Sequence, residues 1–293
     1  MKMPGLLARS AQSEDLNFLL TNRIPRIQLT RFMGWFSKIE KPWVRDCSMA
    51  VWRLFTKLDL SDAKESQFKS LHDCFTRELR AGARRIDHSS DILSSPCDAI
   101  VGAFGRIRNS QAFQAKGFPY QIEELFGAQK TALAYQDGIY VTLRLTAGMY
   151  HRFHAVHDCL VDEVTYISGD TWNVNPIALK RVERLFCKNE RVRLQIQLLG
   201  SGRQVSLVAV AAVLVASVRL RYLEAPLNLQ YRGPNVIDYS KYFRKGEEIG
   251  WFEHGSTILV FAPPGFEWIE GLREGQPIRM GEPLLRLRAL GRD

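Results

Sequence analysis

Gly255-Ser256-Thr257 is the stretch of this 293-residue chain whose residue types could alter its own covalent structure. A serine hydroxyl is a weak nucleophile at neutral pH and gains reactivity from a neighbouring base. With a base present, Ser256 Oγ can attack the carbonyl carbon of Gly255. The C–N bond breaks, a C–O bond forms, and the peptide becomes an ester. Removal of the Ser256 α-proton then expels Gly255 as a carboxylate and leaves a dehydroalanine. Tautomerisation and hydrolysis convert this to a pyruvoyl group with loss of ammonia. Glycine suits position 255 because it lacks Cβ and tolerates strained dihedrals. Gly-Ser-Thr is also the composition of an ordinary turn or strand edge, so the surroundings must decide.

Two further clusters carry titratable groups. Tyr150-His151-Arg152-Phe153-His154-Ala155-Val156-His157 holds three of the six histidines. A histidine near its unperturbed pKa can take and return protons around neutral pH. Their spacing of three also invites a metal reading. Helical ligand pairs more often need i, i+4, and no carboxylate-histidine motif accompanies these. In a strand His151 and His157 share one face and His154 the other, so the three cannot meet one ion. No metal is expected, and surface or hydrogen-bonded histidines are the bland alternative. Asp98, in Ser95-Pro96-Cys97-Asp98-Ala99-Ile100-Val101, stands just before an apolar run. Alone it reads as a turn cap.

The elements around these residues change in texture along the chain. Leu29, Phe32, Met33 and Phe36 recur at helical spacing, as do Val51, Leu54, Phe55 and Leu58, with Pro42 dividing the two segments. Ser70 to Arg80 reads as a helix with a serine start signal, on which His72 and Asp73 are surface residues. After residue 90, short apolar runs alternate with Gly, Asp, Asn and Pro: Ala99–Val101, Ile139–Leu145, Val164–Ile167, Val192–Leu198, Val205–Val218, Ile249–Phe252, Ile258–Phe261 and Leu284–Leu287. These are strands, and Ile258–Phe261 places the Gly-Ser-Thr at a strand start. The fold class is therefore α+β. N-terminal amphipathic helices (1–88) precede a β-rich body (89–293).

Composition is that of a globular chain, 46% hydrophobic and 24% charged, with a net charge of +9. A basic surface attracts nucleic acid or anionic lipid alike. Residues 1–60 carry ten Lys/Arg against five Asp/Glu and three of the six tryptophans, Trp35, Trp43 and Trp52. Basic residues and tryptophan on amphipathic helices suit an anionic bilayer surface, while packing on the core or on another subunit is the alternative. No basic block or motif supports a nucleic-acid partner. The longest apolar run, Val205 to Val218, is shorter than the roughly 20 residues a spanning helix needs. Residues 1–15 lack the apolar core of a secretory signal. Five scattered cysteines without a Cys-x-x-Cys suggest reduced thiols. Together these lead us to expect a cytoplasm-facing chain that does not span a membrane, with contact to a membrane surface left open.

Gly255-Ser256-Thr257, its apolar strand and Ala262-Pro263 resemble the self-processing site of the phosphatidylserine decarboxylases. Tyr150-His151-Arg152-x-His154 resembles the same family's histidine motif. Leu29-Thr30-Arg31-Phe32-Met33-Gly34-Trp35 is similar to its membrane-facing region. Gln114-Ala115-Lys116-Gly117, Gly169-Asp170 with Asn173-Val174-Asn175-Pro176, and Asn189-Glu190-Arg191 extend the likeness over roughly residues 27–288. Arg85, Ala99, Val156 and Cys159 depart from the family pattern.

The resemblance implies a fold with barrel- or sandwich-like, lipoyl-domain-like halves, hinted at by Asp98–Gly102 and Lys245–Gly250. It implies cleavage between Gly255 and Ser256 into a β chain (1–255) and an α chain (256–293), which stay together as a heterodimer, with further dimerisation open. It makes Ser256 the source of a covalent pyruvoyl cofactor. His154 becomes the base that activates Ser256, oriented by Asp98 in the manner of a Ser-His-Asp triad, and His151 lies in the substrate pocket or assists decarboxylation. The implied reaction converts phosphatidylserine, through a Schiff base to the pyruvoyl group, into phosphatidylethanolamine and CO2 at the cytoplasmic face of a bacterial inner membrane. Decarboxylation of a soluble amino acid, and an unprocessed, non-catalytic membrane-associated homologue, are the competing readings.

Overall fold

A computed structural model describes residues 18, 25–115, 118–213, 217–253 and 257–288. Gly255 and Ser256 lie outside the described residues, as do Lys116 and Gly117.

The helical periodicity near the N-terminus yields α1 (Arg26–Phe36) and α2 (Pro42–Phe55). Pro42 divides them as expected. It does so from the first turn of α2, where its missing N–H would be unpaired anyway and its fixed φ suits a helix start. The third helix, α3 (Leu71–Phe75), is capped by Ser70, whose Oγ accepts from the Asp73 N–H at 3.1 Å. The expectation of a helix as far as Arg80 needs correcting. Leu79 bridges Ala63, and the Lys64 and Arg80 N–H groups donate to the Glu78 and Asp62 carbonyls. That pairing pulls the chain into extended backbone after Thr76.

The body is built from strands. They are β1 (Ile92–Ser94), β2 (Ala99–Arg106), β3 (Gln111–Ala115), β4 (Phe118–Gln121), β5 (Ile139–Arg144) and β6 (Arg152–His154). Then come β7 (Cys159–Ile167), β8 (Arg191–Leu198), β9 (Gln204–Val210), β10 (Ser217–Leu220), β11 (Leu227–Asn228) and β12 (Val236–Phe243). The last are β13 (Glu248–Phe252), β14 (Thr257–Ala262), β15 (Phe266–Trp268), β16 (Pro277–Ile278) and β17 (Pro283–Leu287). The main sheet is antiparallel in the order β12-β7-β8-β9-β14-β5-β2-β16. Smaller sheets run β11-β10-β13-β6 and β1-β17-β15, with β3-β4 as a hairpin. The α+β class stands. Among the described residues no barrel closes, and the main sheet stays open at β12 and β16.

β14 explains why Ile258–Phe261 reads as an unbroken apolar run. Side chains alternate between the two faces of a strand, and here both faces are covered. Ile258, Val260 and Ala262 enter one core with Val141, Leu143, Leu207 and Ala209. Leu259 and Phe261 enter the other with Phe126, Tyr140, Val208 and Val210. Each fully buried side chain of this kind contributes about 1.5–3 kcal/mol relative to exposure. The run Val205–Val218 divides between two sheets, into β9 and the start of β10. The five cysteines are unpaired thiols.

Candidate active site

β6 lies antiparallel to β13, with Trp251 opposite Arg152, Gly250 opposite Phe153, and a bulge before Glu248 opposite His154. The Phe252 N–H donates to the His151 carbonyl at 3.0 Å. The histidine segment thus runs beside the strand that leads into Gly-Ser-Thr. Gly250 permits close strands on both sides, because a Cβ there would stand 2.8 Å from the Phe153 ring of β6 and 2.2 Å from the Arg219 carbonyl oxygen of β10. Arg152 fastens the pair. Its guanidinium donates to both Glu248 carboxylate oxygens at 3.0 and 2.8 Å and to the Thr76 carbonyl at 2.7 Å. On the far side of Ser256 the chain enters β14 at Thr257, which pairs with Arg144 of β5 and Val210 of β9. Thr257 Oγ1 is buried without a hydrogen-bond partner among the described residues.

His151 is fully buried, and its ring stacks on Phe75 with centroids 3.8 Å apart. Phe75 in turn stacks on Trp52 at 5.7 Å. The histidine is therefore linked through α3 to α2. His154 is also buried, and both its ring nitrogens are engaged. Nδ1 lies 2.9 Å from the Gly246 carbonyl oxygen and Nε2 lies 2.9 Å from the Tyr150 hydroxyl. A carbonyl only accepts, so Nδ1 carries the proton and Nε2 accepts from Tyr150. Burial pushes His154 down to about 4, with the Arg152 and Arg84 charges adding to it and the Gly246 carbonyl and Asp98 opposing it, and the ring is neutral at pH 7. Burial also pushes the Tyr150 phenol upward, so it keeps its proton and donates.

Asp98 is buried, but its direct bond to His154 is not formed. Arg84 fills the carboxylate with a two-armed contact, Nε to Oδ1 at 2.9 Å and Nη2 to Oδ2 at 2.5 Å, and the Met280 N–H adds a third bond at 2.9 Å. Gly246 and Tyr150 meanwhile occupy the histidine. Asp98 and Tyr150 nevertheless line one polar cavity of about 280 Å³, so the carboxylate neighbours the Tyr150–His154 pair. His157 lies apart, hydrogen-bonded to the Ser90 and Asp158 carbonyls.

A larger, mainly apolar cavity of about 780 Å³ opens where β5 and β9 end beside Thr257. Its walls come from Met33, Phe36, Val51 and Trp52 of the helices, from Phe75, and from the segments 144–147, 173–176 and 212–213. Phe75 thus joins the cavity wall to His151. The helices are tied to this site at both ends of α1. Arg26 donates to Asp170 at 2.6 Å and stacks over Trp172, and Lys38 lies 3.6 Å from Glu253. His72, expected at the surface, is half-buried 3.8 Å from the same Glu253 oxygen. Burial pushes His72 below the usual histidine value, against the pull of Glu253.

Sequence reasoning missed Arg84, Arg144, Glu253, Trp52 and Phe75 as site residues. Arg84 has a local signal, the adjacent basic pair Arg84-Arg85, which does not by itself show which of the two reaches Asp98. The others are brought in by long-range packing, which leaves no local trace.

Residues 71–286 match the family described as phosphatidylserine decarboxylase. The chain belongs to the phosphatidylserine decarboxylase family. It is 32% identical over 290 residues to a phosphatidylserine decarboxylase proenzyme of Aliivibrio fischeri, with 94% of this chain and 99% of the relative covered. A Vibrio parahaemolyticus protein of the same name is 35% identical over 272 residues, covering 89% of this chain and 94% of the relative. One from Vibrio cholerae is 34% identical over 275 residues, with the same coverage. The decarboxylase-family match contains Asp98, both β6-segment histidines and the Gly-Ser-Thr, while α1 and α2 lie before it.

Proposed function

We propose that this chain is a self-processing phosphatidylserine decarboxylase, converting phosphatidylserine to phosphatidylethanolamine and CO2. The observation that carries the reading is one placement. The histidine-bearing segment lies along β13, Thr257 restarts the chain in β14, and an apolar cavity walled by α1 and α2 opens at that point. An apolar cavity of this kind suits a lipid better than a free amino acid.

Cleavage between Gly255 and Ser256 gives a β chain of residues 1–255 and an α chain of residues 256–293. The two remain associated through main-chain ladders. β14 is hydrogen-bonded between β5 and β9, β16 pairs with β2, and β17 pairs with β1. His154 is the base for this step. It is neutral, with its lone pair on Nε2, and it exchanges the Tyr150 hydroxyl for that of Ser256. Asp98, held by Arg84, supplies negative charge nearby that favours the imidazolium formed on proton transfer.

The pyruvoyl group left on residue 256 supplies a ketone that takes the substrate amine and receives the electron pair released as CO2 departs. The local residues fit such a group, since the buried Thr257 hydroxyl, without a hydrogen-bond partner among the described residues, is a donor one residue away. His151, fixed by the Phe75 stack, holds the proton that returns to the substrate carbon.

Residues 1–88 form the membrane-facing portion and 89–293 the catalytic body. Phe32, Trp35, Trp43, Leu54 and Phe55 are exposed on α1 and α2, and these side chains enter the headgroup region of an anionic bilayer. No helix among the described residues is long and apolar enough to cross a membrane. We place the enzyme as a peripheral protein on the cytoplasmic face of a bacterial inner membrane.

The test is release of labelled CO2 from vesicles of carboxyl-labelled phosphatidylserine, with free labelled serine in parallel. Wild type should act on the lipid and the Ser256→Ala variant on neither. Release from serine alone, or from neither by wild type, would refute the reading.

A further inference from the structure

Arg144 is the charged residue on the wall of the apolar cavity, among its described lining residues. It ends β5 directly opposite Thr257. Opposed residues of an antiparallel pair share a face, so Arg144 shares that of Thr257, Leu259 and Phe261, the face that leads into the cavity. The other arginines of the interior are committed. Arg84 holds Asp98 and Asp62, Arg152 holds Glu248, and Arg191 donates to the carbonyls of Glu124, Leu125, Cys187 and Asn189. Arg144 is half-buried, burial alone depresses its pKa, and no carboxylate or carbonyl among the described residues takes its guanidinium. A desolvated cation without a counter-charge is costly in the free protein. It is accounted for if an anion arrives with the ligand.

We propose that Arg144 binds the phosphodiester of the phospholipid substrate, with the first methylenes of its acyl chains in the cavity and the serine head directed toward residue 256. This rests on the decarboxylase reading. The planar guanidinium matches two phosphate oxygens at once. The serine carboxylate is the poorer candidate. Its negative charge disperses as CO2 leaves, so a cation fixed on it would favour the ground state over the transition state and slow the reaction. The phosphodiester keeps its charge throughout, so binding it fixes the lipid without that penalty. The cavity is of the size that encloses one small ligand, enough for a glycerophosphate head while the remaining chain stays in the bilayer. One wall of the cavity, Met33, Phe36, Val51 and Trp52, comes from α1 and α2, the helices that expose Trp35 and Trp43.

The test compares wild type, Arg144→Gln and Arg144→Lys on soluble dihexanoyl phosphatidylserine and on O-hexyl serine, which keeps the amine and carboxylate but lacks phosphate. Intact mass first establishes cleavage of each chain. Arg144→Gln should raise KM for the phospholipid by about 10- to 100-fold, the effect of losing a charge-assisted contact. Arg144→Lys should recover part of it, and the loss on O-hexyl serine should be several-fold smaller. On wild type alone, dihexanoyl phosphatidylglycerol should inhibit at least tenfold more strongly than dihexanoylglycerol. An unchanged KM, an equal loss on both substrates, or equal inhibition by the two competitors would overturn the assignment. If wild type decarboxylates neither substrate, the enzymatic reading fails. Calorimetric binding of dihexanoyl phosphatidylglycerol to wild type and Arg144→Gln then still decides whether Arg144 recognises phosphate, equal affinity counting against it.

Discussion

The central strands and the N-terminal helices use the same large apolar residues in opposite ways. In β14 every residue from Thr257 to Ala262 is buried, and both edges of the strand are hydrogen-bonded. On α1 and α2, Trp35 is 65% exposed, Trp43 69%, Leu54 80% and Phe55 84%. Burial in the sheet stabilises the fold. These four helix side chains keep most of their surface uncovered, although α1 is held in place by Arg26–Asp170 and Lys38–Glu253. A rigidly placed but uncovered apolar face argues for a partner outside the molecule. Its position beside the cavity argues that the partner and the substrate are the same phase.

The contrast can be broken by measurement. In the Ser256→Ala background, which keeps the chain in one piece, Phe261→Ala should cost about 3–5 kcal/mol in denaturant unfolding through loss of core packing. Phe55→Ala should stay within about 0.5 kcal/mol of the parent. Comparable losses at both positions would mean that the helical face is covered after all.

The next effect concerns His154, which belongs to the buried body. Its folded-state pKa of about 4 lies below the unfolded value near 6.5. The unfolded chain therefore binds the extra proton first as the solution is acidified. The stability is present in full above pH 6.5 and is lost as pH falls from there toward 4, by about 3 kcal/mol. Unfolding curves between pH 7 and 4 should show this slope for the parent and a shallower one for His154→Gln. The smallest effect belongs to the helices. Trp35→Ala combined with Phe55→Ala should weaken binding to anionic vesicles by about tenfold while leaving the unfolding midpoint nearly unmoved.

The sequence made some of this legible for physical reasons. Helical spacing and Pro42 defined α1 and α2 because an amphipathic helix repeats its pattern locally. The central strands announced themselves as apolar runs because both faces are buried. β12 escaped notice: it is an edge strand whose residues are mostly exposed, so Val236–Phe243 shows no clean alternation. The α3 expectation overran because Arg77–Arg80 contains good helix formers, yet its backbone pairs with residues 62–64. At the site, the histidine segment and the Gly-Ser-Thr were legible as motifs. The partners were not. Gly246 and Tyr150 hold His154, and Arg84 holds Asp98, through contacts that depend on how distant segments meet. The Trp52–Phe75–His151 stack joins positions 99 residues apart in sequence at its extremes, and Arg144 gained significance only from what it lacks.

The most direct test of the central claim is the intact mass of the purified wild-type protein under denaturing conditions. The account requires two chains, residues 1–255 and 256–293, the shorter one lighter by one ammonia than an unmodified fragment because it begins with a pyruvoyl group. A single chain at full mass, or a C-terminal fragment that begins with an intact serine amine, would contradict it.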